Sequence, residues 1–384
     1  MFVNNKSMIL HLERKFTSPT ETFIVNQINA VNTMKHNVFT VQNLNFLKVK
    51  ATVYNPPKSP AFSTKFLKKN HYKYFEAILK KQTPKIIHSH YLTDAAFFHP
   101  LTKNLNIPKV CSCYGYDVSV IPRKFGLLAK YYYKKVFKEY DLFLAMTDEM
   151  KNDLLAIGCP KSKLMVHYHG IDTYFFDLQR EYELKNGVFN ILTIASLYPV
   201  KGHLSVLKAV KLFSKKNPEI EVRYTIVGNG ILKEKLEDFV KKNKLAEKII
   251  FQPGIKHGPE FINFLNEADV FLHPSITTKE NDKEGIPGAI VEAMASGLPV
   301  ISTQHGGIPF IIENNKTGFL VKEHDSSSIA QYLELLYNNK DLRIKIGRNA
   351  NKYAKSKLDL FEKAKDLKEI YNSLIAKNAK YINS

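Results

Sequence analysis

Short runs rich in Val, Ile and Phe alternate with helix-period segments along most of the chain, and this alternation restricts the fold more than any other feature. In the first half, strand-like runs fall near 8–13, 38–42, 86–90, 110–114, 142–146 and 164–168. Helical patterns fall between them, near 21–32, 66–80, 94–104, 125–138 and 149–157. The pattern restarts at 187–197, with further strand-like runs at 222–228, 249–254, 270–275 and 299–303. Such alternation predicts an α/β fold with parallel sheets covered by helices on both faces. The polar stretch 177–187 reads as a linker, giving an N-terminal domain over 1–180 and a C-terminal domain over 187–360. Residues 361–384 are expected to form a helix returning to the N-terminal domain. A cleft between two such halves is a usual place for a ligand.

Composition narrows the setting. The 384 residues, 44% of them hydrophobic, suit two globular domains. No apolar run approaches the ~20 residues of a membrane span. The first residues lack an apolar core followed by a cleavage site, and Cys111, Cys113 and Cys159 fit reduced thiols, so a cytoplasmic setting is expected. The net charge of +20 is uneven: residues 1–180 hold 26 Lys/Arg against 12 Asp/Glu, and the remainder 30 against 24. A basic half implies an anionic partner or simply a solvated lysine-rich surface. No aromatic–basic nucleic-acid module is recognisable, so nucleic acid is not the expected partner. In 123–140, Phe125, Leu128, Tyr132 and Val136 are expected to face a core, with Lys130, Lys134 and Lys138 outside. The same pattern, like that of 65–81, would also let a helix lie on an anionic membrane surface.

Several motifs carry chemistry. In 283-KEGIPGAIVEAMASGLPV-300, Glu284 sits in a loop and Glu292 about a turn inside a helix that Pro287 opens and Gly297 stops. Free amides at that helix start would suit an anion. In 222-VRYTIVGNGILKEKL-236, Gly228 and Gly230 form half of a dinucleotide fingerprint. Lys233 replaces the third glycine and the acid expected ~20 positions on is missing, which argues against a dehydrogenase. A turn open to a planar or anionic group is the better reading. His88 and His90, with Cys111 and Cys113 on a neighbouring strand, could form a four-ligand zinc site, but the spacing matches no common zinc module, and no metal is expected. In 196-SLYPVKGH-203, Lys201 adds a charge to a helix entry beside Gly202.

Together these pieces resemble the retaining nucleotide-sugar glycosyltransferases of family 4, whose GT-B fold has two Rossmann-like domains. Glu284 and Glu292 match the family's E-x7-E signature, 305-HGGIPFIIENNKTGFLV-321 its continuation, and Lys201–Gly202 its phosphate-binding turn. 169-HGID-172, 19-PTETFI-24 and 88-HSHYLTDAAFF-98 extend the likeness, most closely to the colanic-acid and exopolysaccharide branch. The resemblance implies that Glu284 holds donor-sugar hydroxyls and Lys201 neutralises the leaving diphosphate. Amides around Ile286, Gly288 and Ala289 would bind that diphosphate, and Glu292 the ribose. Ser196, Gly202, Gly228, Gly230 and Gly254 would border the donor. Thr20, Glu21, Thr22, His90 and Asp117 would lie on the acceptor side. Three positions depart from the family: Ser196 replaces an arginine, Phe310 a glutamate, and Tyr114 a histidine, so Tyr114 could donate one hydrogen bond but carry no charge. The implied activity is hexose transfer from a UDP- or GDP-linked sugar to a lipid-linked surface glycan, without a cofactor, on the inner face of the cell membrane. A catalytically degenerate binding module is the alternative.

Overall fold

The structure, a computed structural model, describes residues 7–18, 21–57, 64–280 and 282–383. It divides into two compact units, Met1–Gly170 with Leu360–Ser384, and Ile171–Asp359. The chain therefore changes unit at Gly170–Ile171, before the stretch read as a linker. The polar side chains of that stretch are anchors in the second unit. Arg180 donates to the carbonyls of Leu265, Ala268 and Ser296, and the Tyr182 hydroxyl donates to Gly297 O.

The first unit holds a seven-stranded parallel sheet. Its order is Thr52–Tyr54, Lys35–Phe39, Met8–Leu12, Ile86–His90, Lys109–Ser112, Leu142–Ala145, Leu164–Val166. Succession in sequence thus runs outward from Met8–Leu12, first to one edge and then to the other. A ligand crevice is expected where the order reverses, beyond the carboxyl ends of Met8–Leu12 and Ile86–His90. The second strand lies three residues earlier than the apolar pattern suggests, and the edge strand Thr52–Tyr54 had no signal of its own. Helix Leu360–Asn383 belongs to this unit: Ala364, Leu367 and Tyr371 join Ile9, Ile86, Val110 and Leu144 in one core cluster.

The second unit repeats the plan with six parallel strands. Their order is Ile249–Gln252, Val222–Val227, Phe189–Ile194, Val270–His273, Val300–Thr303, Phe319–Val321. Its strands are near-continuous apolar runs because helices cover both faces. Its core spans the strands and helices His203–Lys216 and Ser326–Asn338, with Phe189, Phe213, Val270 and Leu336 inside.

Helix Ile121–Glu139 departs from expectation. Ala129, Tyr133, Val136 and Phe137 are buried, whereas Phe125, Leu128 and Tyr132 are exposed. Gly126, at φ 49°, kinks the first turns away from the regular path, and the buried face is the adjacent stripe.

Candidate functional site

The second unit's switch point lies beyond strands Phe189–Ile194 and Val270–His273. There Pro199–Lys201 forms one 3-10 turn, and Gly202 follows in the left-handed region at φ 66°. A Cβ at Gly202 would lie 1.8 Å from the Pro274 carbonyl oxygen, so only glycine lets this turn close on the neighbouring strand's exit. Lys201 is thereby aimed at Glu284, with Nζ 2.5 Å from Oε1 and side chains only 19% and 12% exposed.

Glu284 is held from behind. Its backbone N–H donates to His305 Nε2 at 3.0 Å, and His305 Nδ1–H donates to Glu323 Oε1 at 2.7 Å. Thr277 holds the same carboxylate through its N–H and hydroxyl. Neither His305 nor Glu323 was singled out from sequence, although the Gly306–Gly307 pair beside His305 is a signal. A Cβ at Gly306 would lie 2.2 Å from the Glu284 carbonyl oxygen, and Gly307 N–H donates to Gly285 O.

Helix Gly288–Ala295 begins a few residues after Glu284, and no side chain among the described residues caps it. Helices Asp148–Ala156, Ser326–Asn338 and Lys340–Lys357 are capped by Thr147, Asp325 and Asn339. The amides of Gly288 and Ala289 are thus at the open, positive end of a helix. Glu292 lies inside it, 5% exposed, with Oε1 3.0 Å from His257 Nε2. Burial pulls the His257 pKa down, but the bond to Glu292 and its charge outweigh this and leave it raised. His257 was not foreseen. His273 is buried, and neither ring nitrogen has a hydrogen-bond partner among the described residues. Burial, then the charges of Lys201, His203 and His305, hold its pKa well below the usual value.

The Gly-x-Gly turn has a different explanation from the one its sequence suggested. Cβ atoms at Gly228 and Gly230 would lie 1.9 Å from Ala195 O and 2.4 Å from Leu197 O. What approaches this backbone is the chain's own 195–197 segment, joined to it by Leu197 N–H to Asn229 O. That contact sets the position of Ser196, whose carbonyl accepts from His203 Nε2. Gly254 packs beside Asn229. Ile286 is buried between Glu284 and the helix start, and Phe310 is exposed.

In the first unit Thr20 lies outside the described residues. Glu21 precedes helix Thr22–Ala30, and its Oε1 accepts from the Tyr91 hydroxyl at 2.9 Å. Two residues placed on the acceptor side are instead internal. Asp117 is fully buried, with Oδ2 accepting from Leu92 N–H and Oδ1 from Tyr114 and Gly115 N–H. Burial raises its pKa to about 6 against these bonds. It ties two loops together and offers no oxygen to an acceptor. His90 is likewise fully buried, behind Tyr114.

His90 belongs to a row of imidazoles. His36 Nε2 lies 2.7 Å from Val31 O, His11 Nε2 3.0 Å from His36 Nδ1, and His90 Nε2 3.1 Å from His11 Nδ1. The Tyr114 hydroxyl lies 2.8 Å from His90 Nδ1. The Val31 carbonyl can only accept, so in neutral rings each Nε2 carries the proton and each Nδ1 accepts. Burial holds all three pKa values below the usual range. Tyr114 must then donate to His90, and its proton is not available to a sugar or phosphate as the sequence suggested. The cysteines take no part. Register pairs Ser89 with Cys111, which puts both cysteines on the sheet face opposite His88 and His90. His11, His88 and His90 do bring ring nitrogens within 4.8 Å of one another. Hydrogen bonds already use these nitrogens: His11 with His36 and His90, and His88 with Tyr371 and Ser112.

Known proteins share this organisation. Residues 175–353 match the family profile described as Glycosyl transferases group 1, and residues 20–175 that described as Glycosyltransferase Family 4. A putative colanic acid biosynthesis glycosyltransferase, WcaL of Escherichia coli, is 36% identical over 201 residues, 52% of this chain and 48% of that protein. The chain thus spans about half the length of the curated relatives it matches. An uncharacterised glycosyltransferase of Methanocaldococcus jannaschii is 27% identical over 74% of this chain and 75% of its own length. Among solved structures, a glycosyltransferase from Rickettsia africae is similar with TM-score 0.79 and 22% identity over 97% of this chain and 99% of that one. HepE of Anabaena, crystallised with UDP, is similar with TM-score 0.77 and 16% identity over 96% and 100%.

Proposed function

Because the chain belongs to the group 1 and family 4 glycosyltransferases and has their GT-B fold, we propose that it moves a hexose from a UDP- or GDP-linked donor to a lipid-linked glycan in exopolysaccharide synthesis, with retention and without a metal. What carries this reading is the part-buried Lys201–Glu284 pair beside the uncapped start of helix Gly288–Ala295. In the reaction the bond from the anomeric carbon to the phosphate oxygen breaks, and its electron pair leaves with the diphosphate. The acceptor oxygen bonds to the anomeric carbon on the same face, and its proton passes to the departing phosphate oxygen. Lys201 and the amides of Gly288 and Ala289 offset the charge that grows on the diphosphate. Glu284 turns from Lys201 to the hydroxyls of the donor sugar, and Glu292 exchanges His257 for the ribose. His305 and Glu323 keep the Glu284 backbone in place throughout.

The names of relatives support the setting: WcaL acts in colanic acid and AmsK of Erwinia amylovora in amylovoran biosynthesis. The anionic cell-membrane surface, on its cytoplasmic side, is the partner proposed for helix Ile121–Glu139, whose exposed Phe125, Leu127 and Leu128 stand among exposed lysines. The deciding experiment measures transfer and donor hydrolysis over a panel of UDP- and GDP-sugars. Lys201→Ala and Glu284→Ala should each lower the rate about 100-fold. Rates near the parent's in both variants would overturn the assignment.

A further inference from the structure

The two members of the Glu292–His257 pair are held very differently. Glu292 lies on helix Gly288–Ala295, whose Ile290, Val291, Ala293 and Met294 are all buried, so core packing fixes its backbone. Its Oε1 lies 3.0 Å from His257 Nε2, with the glutamate side chain 6% exposed and the imidazole 38%. His257 belongs to no helix or strand. It stands in the connection 253–258, between strand Ile249–Gln252 and helix Pro259–Glu267. The next residue, Gly258, borders open space, since a Cβ built there would meet nothing within 4 Å. Of the two side chains, the imidazole is the one with room to move.

The surroundings of the ring are largely apolar. Phe261, from the following helix, meets it edge-on at 4.7 Å between centroids, and Phe176 does so at 5.7 Å. These two rings also pack on each other and are each 3% exposed, so their contact does not need the imidazole. Glu292 is the charge that faces the ring from helix Gly288–Ala295. The ring's own stretch carries Lys256 before it and Glu260 in the first turn of the next helix. The stretch holding Phe176 carries Asp172 and Asp177, which are engaged with Phe175 N–H and with Lys355. Burial lowers the His257 pKa, yet the bond to Glu292 and its charge leave it raised. An imidazolium holds a carboxylate about twice as strongly as a neutral ring does. A ligand hydroxyl approaching Oε1 therefore meets an oxygen that is already bonded and neutralised.

We propose that His257 is an internal competitor for Glu292: its imidazolium occupies the carboxylate that the ribose hydroxyls of a nucleotide sugar require, so the donor binds by displacing the ring and binds more tightly as pH rises. That the displacing group is a ribose rests on the transferase reading. The sign follows from the two states of the ring. Bonded to Glu292 it keeps its proton above the usual imidazole range, and displaced it returns to that range. Donor binding then releases a proton at pH values between the two, and affinity climbs across that window and is level on either side.

Calorimetry of the full chain with UDP-glucose and with GDP-mannose tests this, because their diphosphate diesters keep one charge state from pH 6 to pH 8.5. The parent should bind at least one of them about fivefold more tightly at pH 8.5 than at pH 6. At pH 7, buffers of different ionisation enthalpy should report net proton release. His257→Ala should bind about tenfold more tightly than the parent at pH 6, with no dependence on pH. His257→Gln keeps a neutral donor of similar reach, and should hold the parent's pH 8.5 affinity throughout. Binding by His257→Ala no tighter than the parent's, or a pH dependence that is absent from the parent or persists in either variant, overturns the competitor and leaves the transferase reading. Failure of all three proteins to bind either nucleotide sugar overturns both.

Discussion

A neutral imidazole has one donor and one acceptor, so the row His36–His11–His90 is satisfied only when all three rings point the same way. Nitrogen NMR at pH 7 should therefore show these three as neutral, Nε2-protonated rings that do not titrate near 6.5; an Nδ1–H form of any of them contradicts the chain. The energetic sign follows. Buried His11, His88 and His90 have folded-state pKa values well below 6.5, so the unfolded chain takes up protons first as pH falls. Stability is intact above pH 6.5 and declines below it. The raised carboxyls Glu13, Asp94 and Asp117 act with opposite sign, their penalty appearing as pH rises through the range above 4. A His88→Gln variant, with one fewer buried imidazole, should show a shallower fall in melting temperature from pH 7 to pH 5 than the parent; an equal slope contradicts the assignment. Of all this, only the alternation of His88 and His90 on one strand face was legible. His11 and His36, which extend the row from His90, lie on other strands, and only register joins them. The turns that hold Lys201 and Glu284 were legible in local chemistry, but the ion pair that joins them was not. His257, His305 and Glu323 were not, because each acts through a partner distant in sequence.

At the scale of elements, helix Ile121–Glu139 presents Phe125, Leu127, Leu128, Tyr131 and Tyr132 to solvent, with Leu127 85% exposed. Arg123, Lys124, Lys130 and Lys134 lie exposed among them. Apolar rings and basic side chains so mixed suit the boundary between headgroups and acyl chains, where each nearby Lys or Arg contributes about 1 kcal/mol on an anionic surface. The protein should co-sediment with phosphatidylglycerol vesicles and much less with phosphatidylcholine vesicles. Leu127→Asp with Leu128→Asp should abolish co-sedimentation without lowering the melting temperature, since neither side chain is in the core; unchanged sedimentation contradicts the contact. Sequence periodicity located this helix but chose the wrong stripe. Two apolar faces overlap in 125–137, and which one finds a partner depends on the kink at Gly126 and on elements packed elsewhere. Strand centres were better determined than their ends, because apolar runs record burial and not where ladder bonds stop.

For the whole molecule, the two units have comparable plans but unequal continuity. Residues 171–359 form the second unit in one piece, whereas the first is assembled from 1–170 and 360–384. A fragment covering 171–359 should fold alone with a cooperative thermal transition. A chain ending at Asp359 should lose the transition of the first unit, because Leu367 and Tyr371, each 1% exposed, would leave its core open. A non-cooperative melt of the fragment, or a normal melt of the truncated chain, contradicts this division. The alternation of strand and helix made both sheets legible, but not the crossing points. The polar composition of 177–187 hid Arg180 and Tyr182, whose bonds to backbone carbonyls fasten that stretch to the second unit.

Placing helix Leu360–Asn383 in the first unit has a consequence for biosynthesis. Domains ordinarily fold in the order in which they leave the ribosome. Here residues 1–170 must wait for residues 360–383, which are translated only after the second unit is whole. The nascent segment 1–170 therefore emerges with Ile9, Ile86, Val110 and Leu144 lacking their cover, and a chaperone that shields apolar surface would be needed there until residues 360–383 follow.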